Sequence, residues 1–187
     1  MSIILLVLFL CSGMISGCEF ASGSEPTRIM GSRSNPNTES TPSAFDYPKA
    51  NRFVNDFAGV LTLDEANRLE EGLRDLQKRG KIDFAIAIVR STNGKDIFDY
   101  SLGMAKEWKV GSENGGILLV VAIVDRKWQI QINKKLEKEF TAAETKAIGD
   151  TMIPHFREQK YGDGLTACLK TFVGELARKY NFEPISF

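Results

Sequence analysis

Two acidic residues and one arginine occupy positions where a ligand could bind. Asp56 lies shortly before the first predicted helix, and Asp125-Arg126 follows an apolar run over Ile117–Val124. The carboxyl ends of parallel strands form the usual ligand crevice of an α/β sheet, and both segments are expected at that end. Paired carboxylates there could hold a hard cation such as calcium, and the guanidinium could hold phosphate. The first hypothesis is a catalytic or metal site of Asp56, Asp125 and Arg126.

A second candidate pair of metal ligands, Asn114 and Glu137, is expected at the opposite end of the sheet. The long strand runs up to Asp125 and its partner runs back, each residue adding roughly 3.3 Å. Asp125 and Glu137 are therefore predicted to lie too far apart to share one ion. The first site also has a structural interpretation, in which Asp56 caps a local turn and Asp125-Arg126 only turns an exposed hairpin.

A predicted β-hairpin positions these residues. Gly115–Val124 is a continuous apolar run rich in β-branched residues, which is typical of a strand buried on both faces. Apolar and polar residues then alternate over Lys127–Asn133, which predicts a half-exposed edge strand. Only Asp125 and Arg126 remain between the two runs, so a two-residue turn is predicted.

Helices and one further strand surround the hairpin. Thr62 and Glu65 form a capping-box pattern that opens a helix to about Arg79, with Gly80 as its stop. The remaining patterns predict a strand at Asp83–Arg90, a helix at Ile97–Trp108, a helix from Thr141 through Ile153 with Pro154 at a kink or end, a break at Tyr161–Gly164 and a helix at Leu165–Tyr180. This order predicts an α/β fold, namely a three-layer α/β/α sandwich whose small mixed sheet combines parallel strands with an antiparallel edge hairpin.

The N-terminus has the pattern of a secretion signal. Ser2–Leu10 is almost wholly apolar but too short to span a bilayer, which needs roughly 20 apolar residues. Ile15–Cys18 resembles the bacterial lipobox, which implies a lipoprotein signal peptide at residues 1–17 and lipidation of Cys18. An ordinary cleavage site or an uncleaved anchor is the alternative.

The remaining domain boundaries follow from composition. Residues 18–52 are rich in Ser, Pro, Asn and Thr without periodicity, which predicts a flexible tether behind the lipidated cysteine. The folded domain is expected at residues 53–182, with a short tail at residues 183–187. Cys168 would then be the only unmodified cysteine of the mature chain, at helical spacing among apolar residues, where a buried hydrophobic role is expected.

Charge gives no reason to expect nucleic acid as a partner. Lysine plus arginine equals aspartate plus glutamate at 24 each, and no basic cluster is present.

Six short segments between Val54 and Gly164 match a known set of motifs in order and at fitting separations. They are Val54–Leu61 (VNDFAGVL), Trp108–Gly111, Asn114–Val120, Asp125-Arg126, Pro154–Arg157 and Tyr161–Gly164. Together, from about Phe53 to Tyr180, they resemble the TPM-domain family of secreted or membrane-anchored proteins. The resemblance implies an α/β/α sandwich. Plant thylakoid members are linked to photosystem II repair, acid phosphatase activity and bound calcium, so it also implies phosphatase and calcium-binding activities as candidates.

The chain departs from that family in one place. After the second hairpin strand the family usually has a glycine-rich GxGLE followed by LTD, whereas this chain has NKKLE at Asn133–Glu137 and FTA at Phe140–Ala142. Glycines there would let the backbone approach a ligand. The departure argues against an inherited anion or metal site at this end.

These observations favour a lipid-anchored TPM-like domain of the bacterial cell envelope. Glu19, rather than aspartate, follows the lipobox cysteine, which favours the outer membrane facing the periplasm in a Gram-negative host. The expected role is an accessory or quality-control module that binds a membrane protein. One alternative is a calcium- or other metal-dependent acid phosphatase using Asp56 and Asp125. Another is a calcium-binding structural domain.

Overall fold

The computed structural model describes residues 46–187. The predicted signal peptide, Cys18 and most of the predicted tether lie outside the described residues. The elements in chain order are β1 (Val54–Asp56), α1 (Leu63–Gly80), β2 (Ile82–Val89), α2 (Ile97–Glu107), β3 (Gly115–Ala122), β4 (Lys127–Ile132), α3 (Ala142–Asp150), α4 (Ile153–Arg157) and α5 (Tyr161–Tyr180).

The strands form one mixed sheet in the order β1-β2-β3-β4. β1 and β2 pair in parallel, as do β2 and β3, while β3 and β4 pair antiparallel from Ile117↔Ile132 to Ala122↔Lys127. The predicted α/β fold with a parallel sheet and an antiparallel edge hairpin is confirmed. The three-residue strand β1 was not predicted, because so short a segment has no measurable period.

Two apolar clusters on opposite faces of the sheet make the three layers. Alternate side chains of β2 and β3, such as Phe84 and Leu119, pack with α1 and α5 in one cluster. The intervening residues, such as Ala85 and Val120, pack against Tyr100 and Met104 of α2 in the other. Because both faces are covered, both strands are buried along nearly their whole length and lack the polar alternation of a one-sided strand.

Three local predictions need correction. The hairpin turn has four residues, Ile123–Arg126, because β3 ends at Ala122 and β4 begins at Lys127. The helix predicted through Ile153 ends at Asp150, and Ile153 with Pro154 begins α4, where a proline at the first turn loses no helical hydrogen bond.

The predicted break at Tyr161–Gly164 is instead the first turn of α5. A Cβ on Gly162 would stand 2.2 Å from the Glu65 carboxylate, and one on Gly164 would stand 2.6 Å from the Phe156 ring. These glycines permit close packing inside a helix rather than ending it.

The chain just before the predicted domain boundary contacts the domain. The Tyr47 and Tyr100 rings lie edge to face at 5.3 Å, and Trp108 Nε1 donates to the Pro48 carbonyl at 2.8 Å. No helix within residues 46–187 combines the length and apolarity needed to cross a membrane.

Candidate functional site

Asp56 ends β1 and its carboxylate is fully used inside its own loop. Oδ1 accepts the backbone N–H groups of Ala58 and Gly59 at 3.2 and 2.8 Å. Oδ2 accepts those of Val60 and Leu61, both at 2.8 Å. A carboxylate offers about four lone-pair sites, so none is left for a metal ion or a substrate proton.

Asp125 lies in the β3–β4 turn and fastens that turn to the loop after β2. Its Oδ1 accepts the Ser91 hydroxyl at 2.8 Å, and its Oδ2 accepts the Thr92 backbone N–H at 2.8 Å and the Thr92 hydroxyl at 3.1 Å. The bond from the Thr92 N–H is the main reason that the pKa of Asp125 lies below its usual value, with a further contribution from Ser91. One lone-pair site, on Oδ1, remains.

The two carboxylates share no hydrogen-bond donor. β2 lies between their strands, so the strands are roughly 10 Å apart. Calcium takes six to eight oxygen ligands, whereas Asp56 has no free lone pair. The donor set at this end does not fit calcium, and no group of three or more His, Cys, Asp or Glu within residues 46–187 could hold a metal ion.

A lysine ammonium binds backbone carbonyls close in sequence to Asn114, a member of the second predicted pair of metal ligands, Asn114 and Glu137. Lys135 Nζ donates to the carbonyls of Ser112 and Glu113 at 3.1 and 2.9 Å. Asn114 uses its side-chain amide and its backbone N–H to bind the carbonyls of Gly80 and Lys81, which fixes the entry to β3. Glu137 is exposed. Asn114 therefore has a clear structural role, and a positive charge lies where a cation would need oxygen ligands.

One carboxylate near the Asn114 end of the sheet was not among the predicted site residues. Asp83 lies in β2 next to Gly111 and Ser112, and burial raises its pKa although hydrogen bonds from those two residues oppose the shift. An acidic residue inside an otherwise apolar strand was the signal that could have identified it.

At the carboxyl end of β3 lies a cavity of about 720 Å³ that carries three positive charges. We call it the cationic cavity. It is lined by Arg126, Lys127 and Arg157, by the aromatic residues Trp128, Phe156 and Tyr161, and by apolar and neutral residues of the turn and of α4, and no lining residue is acidic. Its size is within the range of small-ligand sites, roughly 300 to 1,000 Å³.

The two arginines of the cationic cavity are available for a ligand. Within residues 46–187 the Arg126 and Arg157 side chains form no hydrogen bond or ion pair, although six other ion pairs are present. Lys127 acts electrostatically on Asp125 and contributes to lowering its pKa. Two guanidinium groups that line one cavity together with three aromatic side chains suit an anion attached to an apolar body.

Sequence reasoning identified Arg126 and missed the rest of this cavity. It placed Arg157 only within a segment that resembles the family and Trp128 only within the predicted edge strand. No spacing pattern links Arg126 to Arg157, because only the tertiary fold brings both to one cavity.

A groove of about 670 Å³ runs along the free side of β4 and shares Arg126, Lys127 and Trp128 with the cationic cavity. We call it the edge groove. Its walls are Ile97 and Phe98 at the start of α2 and a set of residues on α3, while β4 forms its floor.

Cys168 is fully buried, and burial raises its pKa to about 12. The thiol is protonated at neutral pH and inaccessible, so it acts as a small apolar core residue.

Comparisons with known proteins agree with this fold. The N-terminal domain of a protein from P. gingivalis, solved by NMR, is 28% identical over 70% of this chain and 85% of that one, with a TM-score of 0.65. The BA42 protein from Bizionia argentinensis is 18% identical over 70% and 92%, with a TM-score of 0.58. The N-terminal domain of the cg2496 protein from Corynebacterium glutamicum is 13% identical over 73% and 85%, with a TM-score of 0.54.

The latter two show likeness of fold alone. No curated protein matches the chain. The TPM domain, in contrast, matches residues 54–175, a span that runs from the first residue of β1 into α5 and includes the turn that carries Asp125 and Arg126. The chain is therefore a member of the TPM domain family.

Proposed function

We propose that this protein is a lipid-anchored, non-catalytic module of the bacterial envelope that binds a membrane protein as an accessory or quality-control factor. The observation that carries the proposal is a contrast within one end of the domain. The carboxylates expected to do chemistry accept hydrogen bonds from neighbouring loops of the fold, whereas Arg126 and Arg157 have no partner within the described residues and line an open cavity.

The proposed anchor is the lipidated Cys18. From Cys18 to Asp46 the chain covers 46 − 18 = 28 residues. A flexible segment of that length has a root-mean-square span of about 30 Å. The domain could then reach the extramembrane parts of a protein embedded in the same membrane. Radioactive palmitate labelling that disappears in Cys18→Ser, together with loss of the protein from the membrane fraction, is the expected result.

Photo-crosslinking in cells tests the binding role. Four large apolar side chains are exposed on the domain, namely Phe57, Leu63, Phe98 and Val124. Each is replaced in turn by a photoreactive amino acid in the full-length protein, with exposed Lys170 as the control position. We expect at least one position to give a discrete crosslink to one integral membrane protein, and Cys18→Ser to abolish it. Absence of any discrete crosslink would refute the binding role.

The second candidate is a metal-dependent phosphatase, which the cationic cavity favours because two free arginines could bind a phosphate ester. Phosphate-ester turnover by the purified protein, dependent on calcium and lost in Asp125→Ala with the fold intact, would support it over the binding module. A calcium-binding structural domain would instead show a melting temperature that rises with calcium concentration and no turnover.

A further inference from the structure

We propose that an extended segment of the partner adds as a fifth strand to the free side of β4, with an acidic group at one end held by Arg126 and Arg157. The edge groove and the cationic cavity together form this site. The inference rests on the proposed binding function and specifies the chemistry of what is bound.

The first observation is the row of main-chain groups on the outer side of β4. The Asn133 N–H donates to the Gly116 carbonyl at 2.9 Å, which fixes the alternation of the antiparallel ladder. Residues 127, 129 and 131 therefore direct their N–H and C=O groups to β3, and Trp128, Ile130 and Ile132 direct theirs outward. β4 is the outer strand of the sheet, so no described strand pairs with these groups.

The side chain of Gln129 supports this assignment. Its Nε2 donates to the Ile130 carbonyl at 3.1 Å, as expected if that carbonyl points away from β3 and has no ladder partner. A glutamine side-chain amide is a replaceable partner for that carbonyl. An incoming strand would exchange it for a backbone N–H, as in other cases of strand addition to a sheet edge.

The second observation is that the groove around this edge has an apolar wall on the α2 side and a wall of mixed polarity on the α3 side. Phe98, half exposed at 50%, and Ile97 form the wall from α2. Ala142 and Thr145 form the wall from α3. Side chains of an extended peptide point alternately to the two faces of a sheet, so successive residues would contact opposite walls.

The third observation is the distribution of charge along the groove. Lys146 and Asp150 pair with each other at 2.5 Å. This leaves Arg126 and Lys127 at the end that opens into the cationic cavity, where Arg157 adds a further positive charge, and Glu137 as the remaining acidic lining residue. An acidic group is complementary to the Arg126 end.

These observations favour a peptide over a free phosphate or a lipid headgroup. Phosphate and headgroups can bind the arginines, but they cannot use the outward N–H and C=O groups of three alternate residues along β4. An extended peptide uses both the edge and the arginines.

Fluorescence anisotropy with full-length protein tests the inference. The probe is a labelled heptapeptide of alternating valine and threonine with two glutamates at one end. The first matched probe has lysines in place of the glutamates, and the second is N-methylated at alternate backbone amides. We expect the acidic probe to bind about tenfold more tightly than the lysine probe and at least fivefold more tightly than the N-methylated probe.

Charge reversal locates the site. The double variant Arg126→Glu/Arg157→Glu should weaken binding of the acidic probe at least tenfold. The control Arg68→Glu/Lys170→Glu makes two charge reversals at exposed positions on α1 and α5 and should leave binding within twofold. NMR amide shifts concentrated on Trp128, Ile130 and Ile132 are expected with the acidic probe.

Several outcomes would overturn the inference. Equal binding of the N-methylated probe would exclude strand addition. Binding of inorganic phosphate or of phosphatidylglycerol vesicles that depends on Arg126 and Arg157, without binding of the acidic peptide, would identify an anion or lipid site instead. If the in-cell crosslink persists in Arg126→Glu/Arg157→Glu, the binding function stands and this location is wrong. If the peptide binds but no crosslink forms, the proposed function is wrong while the peptide-binding site stands.

Discussion

Asp125 and Arg126 are neighbours in one turn, but their side chains belong to two different regions of the molecule. The carboxylate of Asp125 accepts three hydrogen bonds from Ser91 and Thr92 and holds two loops together. The guanidinium of Arg126 has no partner within the described residues and lines both the cationic cavity and the edge groove. At this end of the sheet the carboxylate stabilises the fold, and the guanidinium is available for a ligand.

This difference shows that residue type alone is a poor guide to chemistry at the end of a sheet. Acidic residues at strand ends are also the best acceptors for the free N–H groups of a tight loop. A carboxylate is available for catalysis only to the extent that its lone pairs are unused. By that measure Asp56 has none left and Asp125 has one.

The largest effect is expected for Asp56→Ala. It removes an acceptor from four backbone N–H groups of residues 58–61, and hydrogen bonds to a charged acceptor are among the stronger ones. We expect the free energy of unfolding to fall by about 2 to 3 kcal/mol, measured by urea denaturation.

Exposed Asp64, which also lies near the start of α1, provides the matched control. Asp64→Ala should change the unfolding free energy by about 0.5 kcal/mol or less. If Asp56→Ala were as stable as wild type yet lost calcium or substrate binding, Asp56 would be a ligand and the contrast between the two regions would be wrong.

A pH-dependent effect is expected at Asp125. Its pKa in the folded protein is lowered from 3.8, chiefly by the Thr92 N–H. A lowered pKa in the folded state contributes stability that is present above the unfolded value and is lost as the pH falls through the folded value. Asp125→Asn should therefore be less stable than wild type at neutral pH, and the difference should shrink below pH 3.8.

Denaturation of both proteins at several pH values measures this difference. Thr92→Ala keeps the Thr92 backbone N–H and removes only the hydroxyl, so it should retain most of the pH dependence. A difference between wild type and Asp125→Asn that stays constant from neutral pH to below pH 3.8 would contradict the assigned hydrogen bonds.

Features encoded by a few adjacent residues could be predicted from the sequence. Both capping boxes form as expected at Thr62 and Thr141, with Glu65 and Glu144 as their partners, because both members of each box lie within one helical turn. The two buried strands were also identified, since a run of β-branched residues needs no knowledge of its neighbours to indicate burial on both faces.

Features made by distant parts of the chain could not be predicted. The glycines at Gly162 and Gly164 looked like a break because their reason is the approach of Glu65 and Phe156. The cationic cavity was missed because Arg126 and Arg157 come to the same cavity only through tertiary packing. The sequence left two interpretations of Asp56 open, a ligand-binding carboxylate or the cap of a local turn. Loop geometry distinguishes them, and the sequence does not specify that geometry.

A small gain in stability is expected for Arg126→Gly. Arg126 has a φ of 52°, in the left-handed region that costs an L-residue roughly 1 kcal/mol and glycine almost nothing. We expect the unfolding free energy to rise by about 0.5 kcal/mol, because glycine is also more flexible in the unfolded chain. Binding of the acidic heptapeptide should weaken at the same time.

Stability and binding that move in opposite directions would show that the arginine serves a ligand rather than the turn. Lys109→Gly is the matched control, because Lys109 has the same φ of 52° and is not among the lining residues of the cavity or groove. It should stabilise similarly and leave peptide binding unchanged. A loss of stability in Arg126→Gly would mean that the arginine side chain supports the hairpin.

The smallest effect on stability is expected for Arg157→Ala. The exposed Arg157 side chain makes no ion pair within the described residues, so the unfolding free energy should change by about 0.5 kcal/mol or less. The affinity for the acidic heptapeptide should nevertheless fall several-fold, and its dependence on salt concentration should weaken, because one exposed positive charge has been removed. Arg157→Lys keeps the charge but not the two-pronged geometry, and should restore the salt dependence more fully than the affinity. A destabilised Arg157→Ala protein with unchanged affinity would place this arginine with Asp56 and Asp125 among the groups that stabilise the fold.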